Sequence, residues 1–321
     1  MKSKLTVLIP TYSKDIDILR RALNSVLWAD EILIADSSKT EAGKKRMKEI
    51  ANEFRANYIF REYRYSADFK NWAIPQAKNE WILLLDSDEV VTKKLTKKIK
   101  QILNSKEIVN YDGFGIARKH FFFGKFLEHG GRYPLYNVRL FRKNFYYEDR
   151  DVHAHIVLKK ERMGTILPKD GDILHYSDCD FSDFFERFDR YSTYQANYMK
   201  KIASRGLRVD CKEFFINFIY FKSVIKDIWF FVPGSSLMRF FWMYFFRLGF
   251  LDGKGGLMIA TLYSLQDYVS KTKYFYLKGS KRNVLRNKLQ SWAISLISKS
   301  LVQKEYFVES YNRNLSFYKF K

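Results

Sequence analysis

Proline occurs only five times and glycine fifteen times in 321 residues. That leaves no room for a long Pro/Gly-rich linker, and the chain is expected to be globular almost throughout. Only two cysteines are present, Cys179 and Cys211, and they share no metal-ligand spacing. This excludes a secreted disulfide scaffold and suits a reducing cytoplasm. No apolar run reaches the roughly 18 residues of a membrane-spanning helix. The opening "MKSKLTVLIP" offers about five apolar residues before Pro10, too few for a signal-peptide core. The protein is therefore expected to be neither exported nor integral to a membrane. Acidic residues are also scarce, 35 against 57 Lys and Arg, a net charge of +22. Such an imbalance points to a polyanionic neighbour or to a solvated basic surface.

What is present is hydrophobic (47%) and aromatic (18%), enough for a sizeable core. From residue 5 to about 118, short apolar runs alternate with helical spacing. "LTVLI" (5–9), "EILIA" (31–35), "YIF" (58–60) and "WILLL" (81–85) read as strands. Leu19, Ala22, Leu23, Val26 and Leu27 form a first helical stripe, and Met47, Ile50, Ala51 and Phe54 a second. Residues 66–78 read as a third helix, and Leu95, Ile99, Ile102 and Leu103 form a fourth begun by Thr92. Wholly apolar strands separated by helices predict a parallel sheet covered on both faces. Ligands gather at the carboxyl ends of such strands. Pro10 to Tyr12, Asp36 to Ser38 and Asp86 to Glu89 each follow a strand and are expected to line one crevice.

Residues 113–178 read as a second, β-rich stretch, with "GFGIA", "NVRLF" and "HIVL" as strands, and they hold all five histidines, His120, His129, His153, His155 and His175. From about 181 the chain turns helical, with 15 aromatic residues between Phe214 and Phe250 and lysines and arginines between them. Two readings fit: an aromatic helical core, or a face for the lipid interface. Residues 269–321 carry 12 Lys and Arg against Glu305 and Glu309, which suits anionic headgroups or a solvated basic face.

The stretch "WILLLDSDEVV" (81–91) drives a buried run into three acids. By strand alternation Asp86 and Asp88, with Ser87 between them, are expected on one side of the sheet end. Two close carboxylates suit a hard divalent ion, which needs only one or two protein carboxylates beside substrate phosphates. The alternative is turn and cap chemistry leading into the helix from Thr92.

"LTVLIPTY", "WADEILIADSSKT" and "FKNWAIPQAKNEWILLLDSDEVVT" resemble the nucleotide-binding half of family 2 glycosyltransferases. "FFFGKFLEHGGRYPLYNVRLFRK", "YEDRDVHAHIVL", "ILHYSDCDFSDFFERFDRYSTYQA" and "GFLDGKGGLMIATLYSLQDYVSKTKY" are similar to the bacterial lipopolysaccharide-core β-1,4-glucosyltransferases of that family. The resemblance runs from about residue 4 to 276. It implies a GT-A fold, a Rossmann-like mixed and mainly parallel sheet with helices on both faces, followed by an aromatic-rich helical region. The expected divisions are 1–180 for nucleotide sugar and catalysis, 181–280 for a membrane-apposed acceptor side, and 281–321 for a basic tail. It further implies a nucleotide-sugar site of Pro10, Thr11, Tyr12, Asp36, Lys70, Asn71, Asp86, Ser87, Asp88 and Arg139, with Asp36 accepting from the base. Mg²⁺ or Mn²⁺ would sit on Asp88, Asp86 and a histidine, His175 with His153 and His155 as rivals, and act as Lewis acid on the leaving diphosphate.

Inverting transfer also needs a general base. The relatives have His-Glu-His where this chain has His153-Ala154-His155, so Asp149, Glu148 and Asp151 become the local candidates. Arg132 and Arg142, beside Arg139, are further phosphate candidates, and Gly130 and Gly131 are expected to form a tight turn.

The function these features imply is a metal-dependent hexosyltransferase moving glucose from UDP-glucose to a lipid-anchored glycan, peripheral on the inner face of the cytoplasmic membrane. A peptide or capsule acceptor is the second reading. A non-catalytic basic protein is the third, and no nucleic-acid partner is expected, because the chain carries no RNP, helix-turn-helix or zinc pattern.

Overall fold

The computed structural model describes residues 3–12, 16–122, 124–148, 156–158, 160–178, 181–206 and 218–278. The chain divides into two compact units, one of Met1–Asp189 with Gly234–Leu265, the other of Arg190–Pro233 with Gln266–Lys321.

The first unit is built on a ten-stranded sheet. Its parallel half consists of β1 (Leu5–Thr11), β2 (Glu31–Asp36), β3 (Asn57–Phe60) and β4 (Trp81–Leu84), ordered β3-β2-β1-β4. The intervening helices are α1 (Ile16–Asn24), α2 (Glu41–Glu53) and α3 (Ser66–Ala73). The strands carry consecutive apolar residues because both faces are covered, with Glu31, Asp36 and Asn57 at their ends. Leu5, Val7 and Ile9 of β1 pack into one core with Leu19, Leu23, Met47, Ile50, Leu95 and Ile99. Leu8, between them in sequence, joins the opposite core with Leu33, Ile82, Leu84, Phe69 and Ala73. The third helix stops at Ala73, short of the expected residue 78. Pro75 then sits in a single 3₁₀ turn, Ile74–Gln76, as its ring and missing N–H require.

Beyond β4 the sheet becomes mixed. β5 (Glu89–Val91) leads into α4 (Lys93–Asn104), whose N-cap is Thr92 accepting from the Leu95 amide. β6 (Gly113–Phe122), β7 (Lys125–Phe126), β8 (Leu135–Arg142), β9 (Met163–Ile166) and β10 (Ile173–Asp178) follow. β8 lies antiparallel between β4 and β6, β10 runs parallel to β6, and β5 pairs antiparallel with β10 at the far edge. The expected strand in "HIVL" reduces to one bridge, Tyr147 to Ile156; His155 lies outside the described residues.

The helical part of this unit comprises the start of α5 (Phe181–Arg205), α7 (Ser235–Phe241) and the first half of α8 (Gly253–Lys278). Met243, Ile259 and Ala260 pack on Phe122 and Leu127. The "HGGRYP" block is fastened here. Asp252 accepts from the Glu128 and His129 amides at 3.1 and 2.8 Å, and the Gly130 amide donates to the Arg247 carbonyl. Gly130 and Gly131 have φ of +65° and +73°, the left-handed turn that glycine permits.

In the second unit, the rest of α5, α6 (Phe218–Trp229) and the end of α8 enclose Ala196, Met199, Ile202, Phe230 and Tyr274.

Gly171 opens the strand that carries His175. It has φ +114°, and a Cβ there would lie 2.2 Å from the Leu95 backbone nitrogen. Gly171→Ala is expected to cost about 2–4 kcal/mol, combining left-handed strain with a backbone clash, read as a lowered urea midpoint at unchanged m-value.

Candidate active site

Register places the carboxyl ends of the parallel strands side by side. Thr11 faces Asp36, and Asp36 faces Phe60. Leu8 pairs with Leu84, and the Leu85 amide donates to the Leu8 carbonyl. Pro10 to Tyr12, Asp36 to Ser38 and the acids after β4 thus share one edge, as the pattern predicts.

Asp86 to Asp88 do not continue the strand. β4 ends at Leu84, and the chain reverses through Ser87 and Asp88 into β5, with the Glu89 amide donating to the Asp86 carbonyl. Strand alternation therefore does not apply, and the two aspartates meet different partners. Asp86 takes the Arg139 guanidinium at 2.5 Å, with Lys70 at 3.8 Å and Arg118 at 3.9 Å. Asp88 faces His175 Nε2 at 3.3 Å.

Glu89, grouped by its sequence with the acids that follow β4, lies inside the sheet. It is a strand residue with no solvent exposure. Its carboxylate accepts from Arg139 at 2.6 Å, from Arg118 at 3.1 Å and from the Asp86 amide at 2.9 Å. The cluster assembles by register. Leu83 pairs with Leu140, so Arg139 lies one step further toward the β4 end. Arg118 and His120 project from the same face of β6 by alternation. Arg139 is 5% exposed and its guanidinium lies on the two acids. Arg142 sits opposite Trp81 at the other end of β4, stacked on that ring at 4.8 Å, outside the crevice. Arg132 lies over Tyr263.

Burial alone would raise the Asp86 carboxyl, but Arg139, Lys70 and Arg118 outweigh it and hold the group well below the usual carboxylate range. Its folded value lies below the unfolded one. Its pairing therefore stabilises the fold fully above about pH 4 and is lost as pH falls further.

His175 Nδ1 lies 3.0 Å from His120 Nδ1, so one ring donates and the other accepts. Burial, then His175 and Arg118, push His120 down to about 2, which keeps it neutral. If His175 donates from Nδ1, its Nε2 lone pair faces the Asp88 carboxylate, and a cation between them is favourable. If His120 donates, His175 donates to Asp88. The 3.3 Å separation suits two adjacent ligands with bonds of about 2.0–2.2 Å. Among the described residues no three His, Cys, Asp or Glu side chains converge on one point, but a carboxylate and an imidazole beside phosphate oxygens fit a divalent ion.

Asp36 is fully buried and accepts from the Ser38 amide and hydroxyl and from Tyr58 at 2.6–2.9 Å. It ties the end of β2 to Tyr58 of β3 at the crevice wall, and Tyr12 stands exposed at the rim. Asn71 spends its amide on both backbone groups of Tyr147, at 2.7 and 3.0 Å. Lys70 lies over the Tyr147 ring at 5.2 Å. Glu148 is thus the residue after an anchored one; Asp149, Asp151, His153 and Ala154 lie outside the described residues. The signal for Arg118, His120 and Glu89 was period two in "ARKH" and an acid directly after Asp88, flanked by valines.

Residues 6–161 match the family model Glycosyl transferase family 2. These residues form a glycosyltransferase family 2 domain, and the chain is a glycosyltransferase. An uncharacterized glycosyltransferase of Rickettsia typhi is 23% identical over 291 residues, covering 88% of this chain and 90% of that protein. The lipopolysaccharide core biosynthesis glycosyltransferase LpsC of Rhizobium meliloti is 25% identical over 191 residues, 58% of this chain and 68% of that protein. Among solved structures, TarS of S. aureus is similar at TM-score 0.40 and 15% identity, covering 84% of this chain and 55% of that chain. Another structure, TarS 1-349 in complex with UDP-GlcNAc, is similar at 0.38. In this glycosyltransferase the strand register places the acid cluster at the strand ends of the mixed sheet.

Arg139→Met would leave the buried Glu89 carboxylate with Arg118 and the Asp86 amide but without its nearer guanidinium, and is expected to cost about 3–5 kcal/mol. Adding Glu89→Leu should recover much of that loss, in a urea double-mutant cycle at pH 7.

Proposed function

We propose that this glycosyltransferase moves a hexose, glucose from UDP-glucose, with inversion onto a sugar of a lipid-anchored glycan such as the lipopolysaccharide inner core. We further propose that it works at the inner face of the cytoplasmic membrane. The observation that carries the donor reading is the strand-end cluster, in which Asp86 and Asp88 stand among Lys70, Arg118, Arg139 and His175. The LpsC name and the "HGGRYP" and "LHYS" blocks support the acceptor class.

In this reading Asp88 and His175, with Asp86 beside them, hold Mg²⁺ or Mn²⁺, which when bound supplies Lewis acidity to the diphosphate oxygens. Lys70 and Arg118 add positive charge facing the same oxygens. Arg139 and Glu89 fix the turn that presents Asp86 and Asp88. Pro10, Thr11 and Tyr12 flank the nucleotide. The acceptor hydroxyl attacks the anomeric carbon from the face opposite the diphosphate. Its proton passes to a carboxylate of the 148–151 stretch, and the breaking C–O bond leaves its electron pair on the diphosphate.

Purified protein with Mn²⁺ or Mg²⁺ should release UDP from UDP-glucose in preference to UDP-galactose or UDP-GlcNAc, accelerated by a heptose-bearing acceptor. Asp88→Asn is expected to lower kcat/KM by about 10²-fold or more. One of Glu148→Gln, Asp149→Asn and Asp151→Asn should lose about 10²–10⁴-fold in kcat with KM for donor held. Undiminished turnover in Asp88→Asn rejects the metal assignment, and undiminished turnover in all three of the others rejects the local base.

A further inference from the structure

Within Gly234–Leu265, twelve large apolar side chains are more than a third exposed, led by Phe246 (73%), Leu237, Trp242, Leu251 and Phe245. Three features separate this face from ordinary surface. Its inward side chains, Met243, Ile259 and Ala260, are already satisfied in the core with Phe122 and Leu127, so the outward rings are not an unfinished part of that core. The rings are pre-arranged, Phe241 stacked with Phe245 and Trp242 with Phe246, each pair at 5.8 Å. Leu248 is held at φ +57°, a left-handed conformation that is strained for a γ-branched residue, and it is itself half-exposed.

Charge selects the occupant. The segment's charged residues are Arg239, Arg247, Lys254 and Asp252, and Asp252 is buried, accepting from the Glu128 and His129 amides. The segment's exposed side chains are therefore rings, aliphatics, Thr261 and the cations Arg247 and Lys254, with no exposed acid among them. A second copy set against it in two-fold symmetry would bring Arg247 and Lys254 of each chain toward those of the other. An anionic phospholipid surface satisfies both components: rings and aliphatics enter the boundary between headgroups and acyl chains, and cations meet phosphates.

We propose that this face docks the protein on a bilayer containing anionic phospholipid. The inference rests on the membrane location proposed above and names the surface that carries it; vesicle binding and thermal unfolding read it without donor or acceptor, so its failure is distinguishable from failure of the donor assignment.

The full chain should float with phosphatidylcholine vesicles containing 30% phosphatidylglycerol, and much less with phosphatidylcholine alone. Phe245→Ser/Phe246→Ser should lower the partition coefficient at least tenfold, and Lys254→Glu severalfold on anionic vesicles only. Thermal unfolding and UDP-glucose hydrolysis should be unchanged in both variants. Wild-type partitioning in the double variant would overturn the proposal and assign any binding to another basic region. So would absence of vesicle binding by the wild type, or a concentration-dependent dimer in ultracentrifugation that the double variant abolishes.

Discussion

A single buried guanidinium sets the chemistry of this crevice. Arg139 touches Asp86 and Glu89 at 2.5 and 2.6 Å, two acids three residues apart that would otherwise repel across a tight reversal. With the arginine between them the chain can leave β4, turn through Ser87 and Asp88 and re-enter the sheet as β5. Without it, a fully buried carboxylate would lack half of its compensation. The desolvation is repaid only because the geometry is multiple: Arg118 and the Asp86 amide also reach Glu89. Such an arrangement specifies one conformation of the turn, and the turn is what presents Asp88 to His175.

The sheet carries this specificity outward. β8 enters antiparallel next to β4, which brings Arg139 to the β4 end rather than to its start, where Arg142 serves Trp81 instead. His175 pairs with Glu89 on one side and with His120 on the other, so three strands deliver one continuous polar row. Gly171, whose missing Cβ lets the chain pass the Leu95 backbone, fixes where that row begins. A strand-end crevice built this way depends on strand register more than on loop conformation, and precision in register is what buried two-faced strands provide.

The parallel half was legible because its strands hold runs of consecutive apolar residues and its helices keep a clear 3.6-residue stripe. Asp36 and the acids after β4 fell at strand ends as expected, and Thr92 is the cap it resembles. What escaped was pairing between distant segments. Nothing local distinguishes Arg139 from Arg142, although one binds the acid pair and the other a tryptophan. Nothing local reveals that Glu89 is a strand residue, since a three-residue strand offers no period to read. The alternation argument for Asp86 and Asp88 failed because it extended a strand through residues that turn. Asn71 holds the Tyr147 backbone, a use that only the proximity of Tyr147 reveals.

Hydrogen–deuterium exchange on the full chain with and without UDP, in Mn²⁺, tests the strand-end site most directly. Protection confined to peptides covering 9–12, 36–38, 86–91 and 173–176 is expected, and it should disappear in Asp88→Asn. Protection centred elsewhere, or unchanged protection in that variant, would contradict the placement of the nucleotide at these strand ends.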